Sequence, residues 1–330
     1  MSDSTPQHTA GGDGGPDAGG DGGPGTGEDR TGIYVDHREL LFSIVYSMLG
    51  SVADTEDVLQ ETWLAWAAGA TGGEPVRSPK AYLVRIAVNK ALGRQAAISR
   101  RRETYLGPWL PEPVATPEQG GADATAERIE SVSIALLVVL ETLTPLERAV
   151  FVLHEVFGYP HTDTARILDR SPAAVRQLAH RAREHVRARR PRYRTDPVLR
   201  RQVTERFVAA VSGGDLPALL RLLAPDVTMW ADGGGKATAA GPRPVHGREK
   251  VARLLAAAPG RAPGGLDIHY RQLNGGPSVV LADGDHPFGV LAVELTPDGE
   301  QVLGVYFVTN PDKLAHLGRP GRTDRNRSSR

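Results

Sequence analysis

Two stretches of this chain place chemically capable side chains at helical spacing. Residues 145 to 190 read PLERAVFVLHEVFGYPHTDTARILDRSPAAVRQLAHRAREHVRARR. The pattern predicts an apolar helix, a second short helix, a three-residue turn and a capped helix that ends in arginine. That order is a helix-turn-helix suited to a DNA groove. Ser171 is a favoured N-cap and Pro172 takes the first helical position, so the last helix has a defined start. At about 100° per residue, Val175, Leu178, Ala179 and Ala182 share one stripe. Ala173, Gln177, His180, Arg181 and Glu184 lie opposite, flanked by Arg176 and Arg183. A polar stripe is ordinarily just solvated, and here the charge distribution argues for more. Between residues 161 and 206 there are thirteen Arg against five Asp plus Glu, in a chain whose basic and acidic totals are both 39. A neutral protein that gathers positive charge on one helical module has a phosphate-binding footprint there.

The second stretch is DTEDVLQETWLAW, residues 54 to 66. On a helix, Asp54, Asp57 and Glu61 fall within about 60° of one another, whereas Leu59, Trp63 and Trp66 gather on another side. Acids three or four residues apart repel by a few tenths of a kcal/mol. The helix N-terminus relieves part of this for Asp54, Glu56 and Asp57. These residues alone leave two readings open, a solvated acidic face or a docking surface. The tryptophans, large aromatics at helical spacing, read as core.

The elements that must position these groups follow from periodicity. Leu40, Leu41, Ile44, Val45 and Met48 mark one helix, and Tyr82, Leu83, Ile86 and Leu92 mark another, which Ser78 caps and Pro79 begins. Gly/Pro-rich stretches near 107–126 and 191–197 separate three blocks. From Val198 onward the pattern predicts two amphipathic helices, a strand, another helix and then four short strands (LDIHYRQL, SVVLAD, FGVLAVEL, QVLGVYFVT). Helices followed by strands argue an α+β unit. Residues 1–32 and 318–330 lack the apolar side chains needed to offset ordering entropy and read as disordered acidic and basic tails.

Several classes drop out. Zero cysteines exclude disulfides and zinc–thiolate sites. No run of apolar residues is long enough for a membrane span, and the first residues lack a signal-peptide layout, so a cytoplasmic location is expected. In the last block Trp230, Asp232, His246, His269, Tyr270 and Tyr306 carry polar or titratable groups, but no base and oxyanion donor can be paired from sequence. DGGGK, residues 232 to 236, reads as a turn carrying a cation; it lacks the spacing and following Ser/Thr of a P-loop.

Taken in order, DxEDxxQxxW on a helix, SPKAYLVRIAVNKAL, an arginine cluster and SPAAVRQLAHRAR resemble the group IV, extracytoplasmic-function sigma factors of bacterial RNA polymerase. YLGPWLPEP at 105–113, DGGGK, and NPDKL at 310–314 are similar to the SigJ-type subgroup, which carries a fused SnoaL-like domain. The resemblance spans residues 33 to 317. It implies a multi-domain fold: two all-α sigma regions, with region 2 over 33–104 and helix-turn-helix region 4 over 129–194. A linker over 105–128 joins them, and an α+β SnoaL-like (NTF2-like) cone over 198–317 follows.

The same resemblance implies binding to RNA polymerase core, through the largest-subunit clamp and the flap, and to promoter −10 and −35 elements. No cofactor, metal, membrane contact or catalysis by the chain itself is implied, and whether the third domain's cavity takes a small ligand stays open. By position, Asp54, Glu56, Asp57, Gln60 and Glu61 form the core-docking face. Arg77, Lys80, Arg85, Asn89, Lys90 and Arg94 approach the −10 strand, although Gly93 and residues 95–98 depart from the subgroup pattern. Ser171, Ala173, Arg176, Gln177, His180, Arg181 and Arg183 face the −35 element. Trp109, Leu110 and Glu112 of WLPEP, Asp232, Gly233, Gly234, Gly235 and Lys236 of DGGGK, and Asn310, Pro311, Asp312, Lys313 and Leu314 of NPDKL are regulatory contacts. The expected pairing joins Lys236 to Glu112, with the apolar linker strip exposed as a contact site. A cavity enzyme of isomerase or cyclase type with a DNA-binding appendage, and a ligand-responsive regulator, are the competing readings.

Overall fold

The computed structural model describes residues 27–69, 76–116, 132–189, 196–237, 240–260 and 265–317. Three helices open the chain: α1 (Gly27–Leu49), α2 (Val52–Ala68) and α3 (Pro79–Glu103). Their apolar stripes bury Leu41, Ile44, Met48, Leu59, Trp66, Leu83 and Ala87 in one core. α1 begins inside the stretch expected to be disordered, and Trp66 explains why. Arg30 donates to the Trp66 carbonyl at 2.8 Å, the Trp66 indole N–H returns a bond to the Arg30 carbonyl at 3.0 Å, and the guanidinium lies over the ring. The rest of the acidic tail, the basic tail and residues 70–75 lie outside the described residues.

The end of α1 organises the whole molecule. Gly50, at φ +66°, closes the helix in the left-handed region that glycine adopts without strain. The last carbonyls of a helix have no partner within it. Here Met48 O accepts from Gln95 of α3 at 3.0 Å and from Arg148 at 2.8 Å. Leu49 O accepts from Arg102 at 2.8 Å, and Gly50 O from the Glu112 amide at 3.0 Å. One helix end thus ties together α3, the linker and the following helical block.

That block holds α4 (Ile134–Leu140), α5 (Pro145–Phe151), a π turn (Val152–Val156), α6 (His161–Leu168) and α7 (Pro172–Arg189). Thr144 and Glu147 form a reciprocal capping box at the start of α5. Asp169, at φ +52°, ends α6 and turns the chain into α7. The two helical blocks share one continuous apolar cluster, with α3 packed on α6.

The C-terminal unit comprises α8 (Pro197–Ser212), α9 (Leu216–Leu222), β1 (Leu223–Asp232), β2 (Val245–His246), α10 (Arg248–Ala256), β3 (Asp267–Leu273), β4 (Gly276–Asp283), β5 (His286–Leu295), β6 (Val302–Val308) and α11 (Pro311–Leu314). The sheet order is β2-β1-β6-β5-β4-β3, with β1 and β6 parallel and the other pairs antiparallel. Side chains alternate between its faces. Val279, Leu291 and Val305 point to α8, α9 and α10, while Val280, Val290, Tyr306 and Val308 point the other way. That second face is covered by Leu110 of the linker and Ile134 and Ala135 of α4. The sheet therefore uses one face for its own domain and the other to hold the helical blocks.

Candidate functional site

The helix-turn-helix presents the expected outer stripe. Val175, Ala179 and Ala182 are fully buried, and Leu178 is nearly so. Ala173, Arg176, Gln177, His180 and Arg181 are exposed. The Ser171 hydroxyl accepts the Ala174 amide at 3.2 Å, which fixes the start of α7. Arg183 is half-buried instead, 3.5 Å from Glu155, and bonds the Ala179 carbonyl at 3.3 Å. Arg181 reaches back 3.1 Å to Glu147. Burial would raise the Glu147 carboxyl, but hydrogen bonds from Thr144 and the Arg181 charge hold it below the ordinary range. The capping box of α5 thus also steadies one residue of the outward stripe.

On α2 the sequence expectation needs correction. Asp54 is buried and offers no docking face. Arg94 Nε lies 3.0 Å from it and Arg101 donates two bonds at 2.7 and 2.8 Å. Burial alone would raise its carboxyl, yet these two guanidinium groups bring it below the usual range. Arg94 also pairs with Asp57, and sits 3.4 Å from Glu61, while Lys90 is 3.1 Å from Glu61. Two residues assigned to the −10 strand therefore neutralise the acidic stripe, because α2 and α3 pack side by side. Glu56 takes two bonds from Arg38, at 2.8 and 2.6 Å. Asp57, Gln60 and Glu61 remain on the surface. Asn89 donates to the Ile167 carbonyl of α6 at 3.1 Å, so it touches the helix-turn-helix block. Arg77, Lys80 and Arg85 are exposed.

The WLPEP, DGGGK and NPDKL motifs converge on one buried carboxylate. Asp232, with no exposed surface, ends β1. Its Oδ1 accepts from the Tyr105 hydroxyl at 2.5 Å and the Gly234 amide at 3.1 Å. Its Oδ2 accepts from the Leu110 amide at 2.8 Å and Lys313 Nζ at 2.7 Å. Lys313 also donates to the Leu110 carbonyl at 2.5 Å, so NPDKL and WLPEP are joined directly. Burial pulls the Lys313 ammonium down to about 8, against the raising influence of Asp232. Asn310 Nδ2 donates to the Tyr105 hydroxyl at 2.8 Å, and burial together with the Asp232 carboxylate raises that phenol. Trp109 carries the Arg102 guanidinium 3.5 Å and the Lys313 ammonium 4.0 Å from its ring centroid. The triglycine has a steric reason. Gly235, at φ +71°, leaves only 2.7 Å between a would-be Cβ and Leu106 of the linker.

The expected Lys236–Glu112 pair does not form. Lys236 lies 2.5 Å from Asp312, a surface pair within the C-terminal unit. Glu112 Oε2 accepts the Val52 amide at 2.9 Å and so caps α2. The linker strip is not exposed either, since Leu110 is fully buried. Sequence reasoning missed Tyr105, Tyr46 and Asn274. Asn274, at φ +48° in the tight turn between β3 and β4, accepts the Val114 amide at 3.1 Å and donates to the Tyr46 hydroxyl at 2.8 Å. Tyr46 in turn donates to the Glu112 carbonyl at 2.5 Å. The Asn-Gly turn was the only local signal, and it announces a hairpin rather than a contact.

The polar and titratable groups singled out in the last block do not converge. Trp230 stacks on Tyr306 with centroids 4.9 Å apart, and Tyr306 donates to Glu294 at 3.1 Å. His246 sits 3.0 Å from Thr228 at the β2 edge, while Tyr270 is exposed on β3, at the other edge of the sheet. Asp232 belongs to the clasp. Among the described residues no group of three or more metal-ligating side chains is present, and no helix is long and apolar enough to cross a membrane.

A helical bundle followed by a helix-turn-helix, both clasped to an α+β unit, defines a promoter-reading transcription subunit rather than a lone DNA-binding module. The family models agree: residues 33–102 match Sigma-70 region 2, 133–186 match Sigma-70 region 4, and 204–312 match the SnoaL-like domain. The ECF RNA polymerase sigma factor SigJ of Mycobacterium tuberculosis is 37% identical over 290 residues, covering 84% of this chain and 90% of the relative. The probable ECF sigma factor SigI of the same organism is 33% identical over 203 residues, 59% of this chain and 67% of the relative. The crystal structure of M. tuberculosis SigJ superposes with a TM-score of 0.68 at 33% identity, covering 86% of this chain and 98% of that one. The chain belongs to the extracytoplasmic-function RNA polymerase sigma factors, in the form that carries a SnoaL-like domain. It binds RNA polymerase core and promoter DNA to direct promoter-specific initiation.

Proposed function

We propose that the C-terminal domain sets the relative placement of the two DNA-reading regions and so tunes initiation in the cytoplasm. The observation that carries this is the Asp232 carboxylate, buried without exposed surface and bonded at once to the linker residues Tyr105 and Leu110 and to Lys313 of the domain itself. A buried carboxylate is tolerated only with such partners, and removing them leaves an uncompensated charge. The linker is therefore either seated on this site or detached from it, a two-state element that binding partners can bias.

In this reading the units run over 33–104, 105–128, 129–194 and 198–317. The outward stripe Ala173, Arg176, Gln177, His180 and Arg181, beginning at Ser171, reads the −35 element. Arg77, Lys80 and Arg85 hold the −10 strand. Asp57, Gln60 and Glu61, with Glu56 beside them, dock on the polymerase clamp, and the flap receives the helix-turn-helix block. Lys90, Arg94 and Asn89 join the −10 contacts only after they leave Glu61, Asp57 and Ile167. In vitro transcription with core polymerase tests the whole reading. The full chain and Asp232→Asn should differ in promoter output while the helix-turn-helix keeps its affinity for −35 DNA. Equal output from the two would refute it.

A further inference from the structure

The two edges of the C-terminal sheet end differently. β2 is only two residues long and offers little backbone for another strand to pair with. β3 runs seven residues, and its pairing with β4 steps evenly from Asp267↔Ala282 to Leu273↔Gly276 with no bulge. It holds neither the proline nor the lysine that commonly keeps an edge from pairing. Ile268 and Tyr270 are 40% and 44% exposed on one face of it, the face that bears Leu281 and Val279 opposite them.

Part of this edge is already taken. Ala115 bridges Leu273, and Thr116 donates to the Gln272 carbonyl at 3.0 Å. That carbonyl therefore points away from β4, and by the two-residue period of a strand the N–H and C=O of Tyr270 and Ile268 point the same way. Among the described residues no hydrogen bond meets those groups. An open, regular and partly apolar strand edge is a template for another strand.

We infer that the open part of β3 pairs with β3 of a second copy of this chain, antiparallel about a two-fold axis through His269. Outward groups must meet outward groups, so Ile268 exchanges both backbone bonds with the partner's Tyr270, and Tyr270 with the partner's Ile268. Their side chains then form cross-strand pairs of an aromatic with a β-branched residue, a favourable combination. Asp267 falls opposite the partner's Arg271, and Arg271 opposite the partner's Asp267. Arg271 touches the Leu317 carbonyl at 3.4 Å, and its several N–H donors let it keep that bond while meeting a carboxylate. Neighbouring registers fit less well. A slide one way sets His269 against the partner's Arg271 and needs the Gln272 edge that Thr116 occupies. A slide the other way leaves Arg271 opposite the partner's Gly265, outside the strand. In the central register the partner's strand begins opposite Arg271, so the Thr116 bond stays in place. The charge order from Asp267 to Arg271 complements its own reverse, which favours a second copy over an unrelated strand.

Edge pairing alone buries less than about 1,200 Å², so association should be weak, with a dissociation constant of roughly tens to hundreds of micromolar. Sedimentation velocity of the full chain over that range should show a monomer–dimer equilibrium. Asp267→Arg or Arg271→Asp alone puts like charges opposite each other on both sides of the axis and should weaken the dimer roughly tenfold or more. The two changes together restore opposite charges and should bring the dimer back to within about threefold of wild type. The chain has no cysteine, so His269→Cys supplies a lone thiol on the axis. A pair directly opposite there has Cα atoms about 4.5 Å apart, within disulfide reach, and should crosslink on mild oxidation. Asp267→Cys lies roughly 14 Å along the strands from its own mate and should not crosslink. The cysteine variants decide if a charge variant loses its cooperative melting curve. A chain that stays monomeric throughout, or a dimer indifferent to the single charge changes or not recovered by the double exchange, overturns the inference. Crosslinking through Asp267→Cys instead of His269→Cys overturns the register. None of these outcomes bears on the Asp232 clasp, since β6, β5 and β4 lie between β1 and this edge.

Discussion

Tyr105 offers the cleanest perturbation of the clasp, because its hydroxyl bonds only across the interface. It donates to Asp232 at 2.5 Å and accepts from Asn310 at 2.8 Å. Tyr105→Phe removes that donor and leaves the Asp232–Lys313 pair in place. A hydrogen bond to a charged group contributes about 1.5–3 kcal/mol, and the ring is half-buried, so a cost of about 1–2 kcal/mol is reasonable. Asp232→Asn is harsher. It strips Lys313 of its counter-charge, and either amide orientation points an N–H₂ at an existing donor. Breaking a buried pair on one side costs about 3–5 kcal/mol, part of it inside the C-terminal unit, since Lys313 and Gly234 belong there. Amide hydrogen exchange at Leu110 reads the interface directly, because that N–H donates to Asp232 Oδ2 at 2.8 Å. With tenfold per 1.4 kcal/mol, protection of Leu110 should fall roughly tenfold in Tyr105→Phe and more than about a hundredfold in Asp232→Asn. The Val305 amide in β6 serves as the internal control and should keep its protection in Tyr105→Phe. Unchanged exchange at Leu110 in both variants, or an equal loss at Val305 in Tyr105→Phe, would refute the idea that this carboxylate holds the linker.

Three further outcomes are expected. Gln177→Ala should cost about 1–3 kcal/mol in promoter binding and relax specificity at one −35 position, measured by DNA titration against base-substituted sites. Asp57→Asn combined with Glu61→Gln should weaken binding to core polymerase with unchanged helical content by circular dichroism; full affinity would return these acids to a solvated face. Asp54→Asn tests the buried pair through pH. The Asp54 carboxyl is lowered on folding, so its contribution is complete above the ordinary carboxylate value of 3.8 and disappears as pH falls through the lowered one. The stability gap between wild type and Asp54→Asn should therefore be constant near neutrality and shrink below about pH 4 in urea titrations. A gap that narrows between pH 6 and 8 would point to another group.

What could be read from the residues divides along the range of the interactions. The helix-turn-helix and its outward stripe were legible because capping, turn and 3.6-residue periodicity are local, and Ser171, Pro172 and the Val175–Ala182 stripe stand where those rules put them. The strands of the C-terminal unit were legible for the same reason, except β2, which is two residues long and has no period to detect. What failed was partner choice. The Asp54–Asp57–Glu61 stripe was visible, but its neutralisation by Arg94, Arg101 and Lys90 depends on how α2 lies against α3, which no spacing within either helix states. Lys236 and Lys313 are both lysines in motifs that meet at Asp232. Which of them enters is decided by α11, which buries Lys313 beneath Trp109 and leaves Lys236 at the surface with Asp312. A buried lysine needs a counter-charge far more than an exposed one does, so Asp232 goes to Lys313. Glu112, then free of any lysine, is spent as a helix cap on Val52. The described part of the linker is thus fastened on two sides: by Glu112 and Tyr46 to region 2, and by Leu110 and Tyr105 to the C-terminal domain. Region 4 is bonded to the same end of α1 through Arg148. On the proposed reading this shared anchorage is the route by which a domain with no assigned contact to DNA affects the spacing of the two regions that read it.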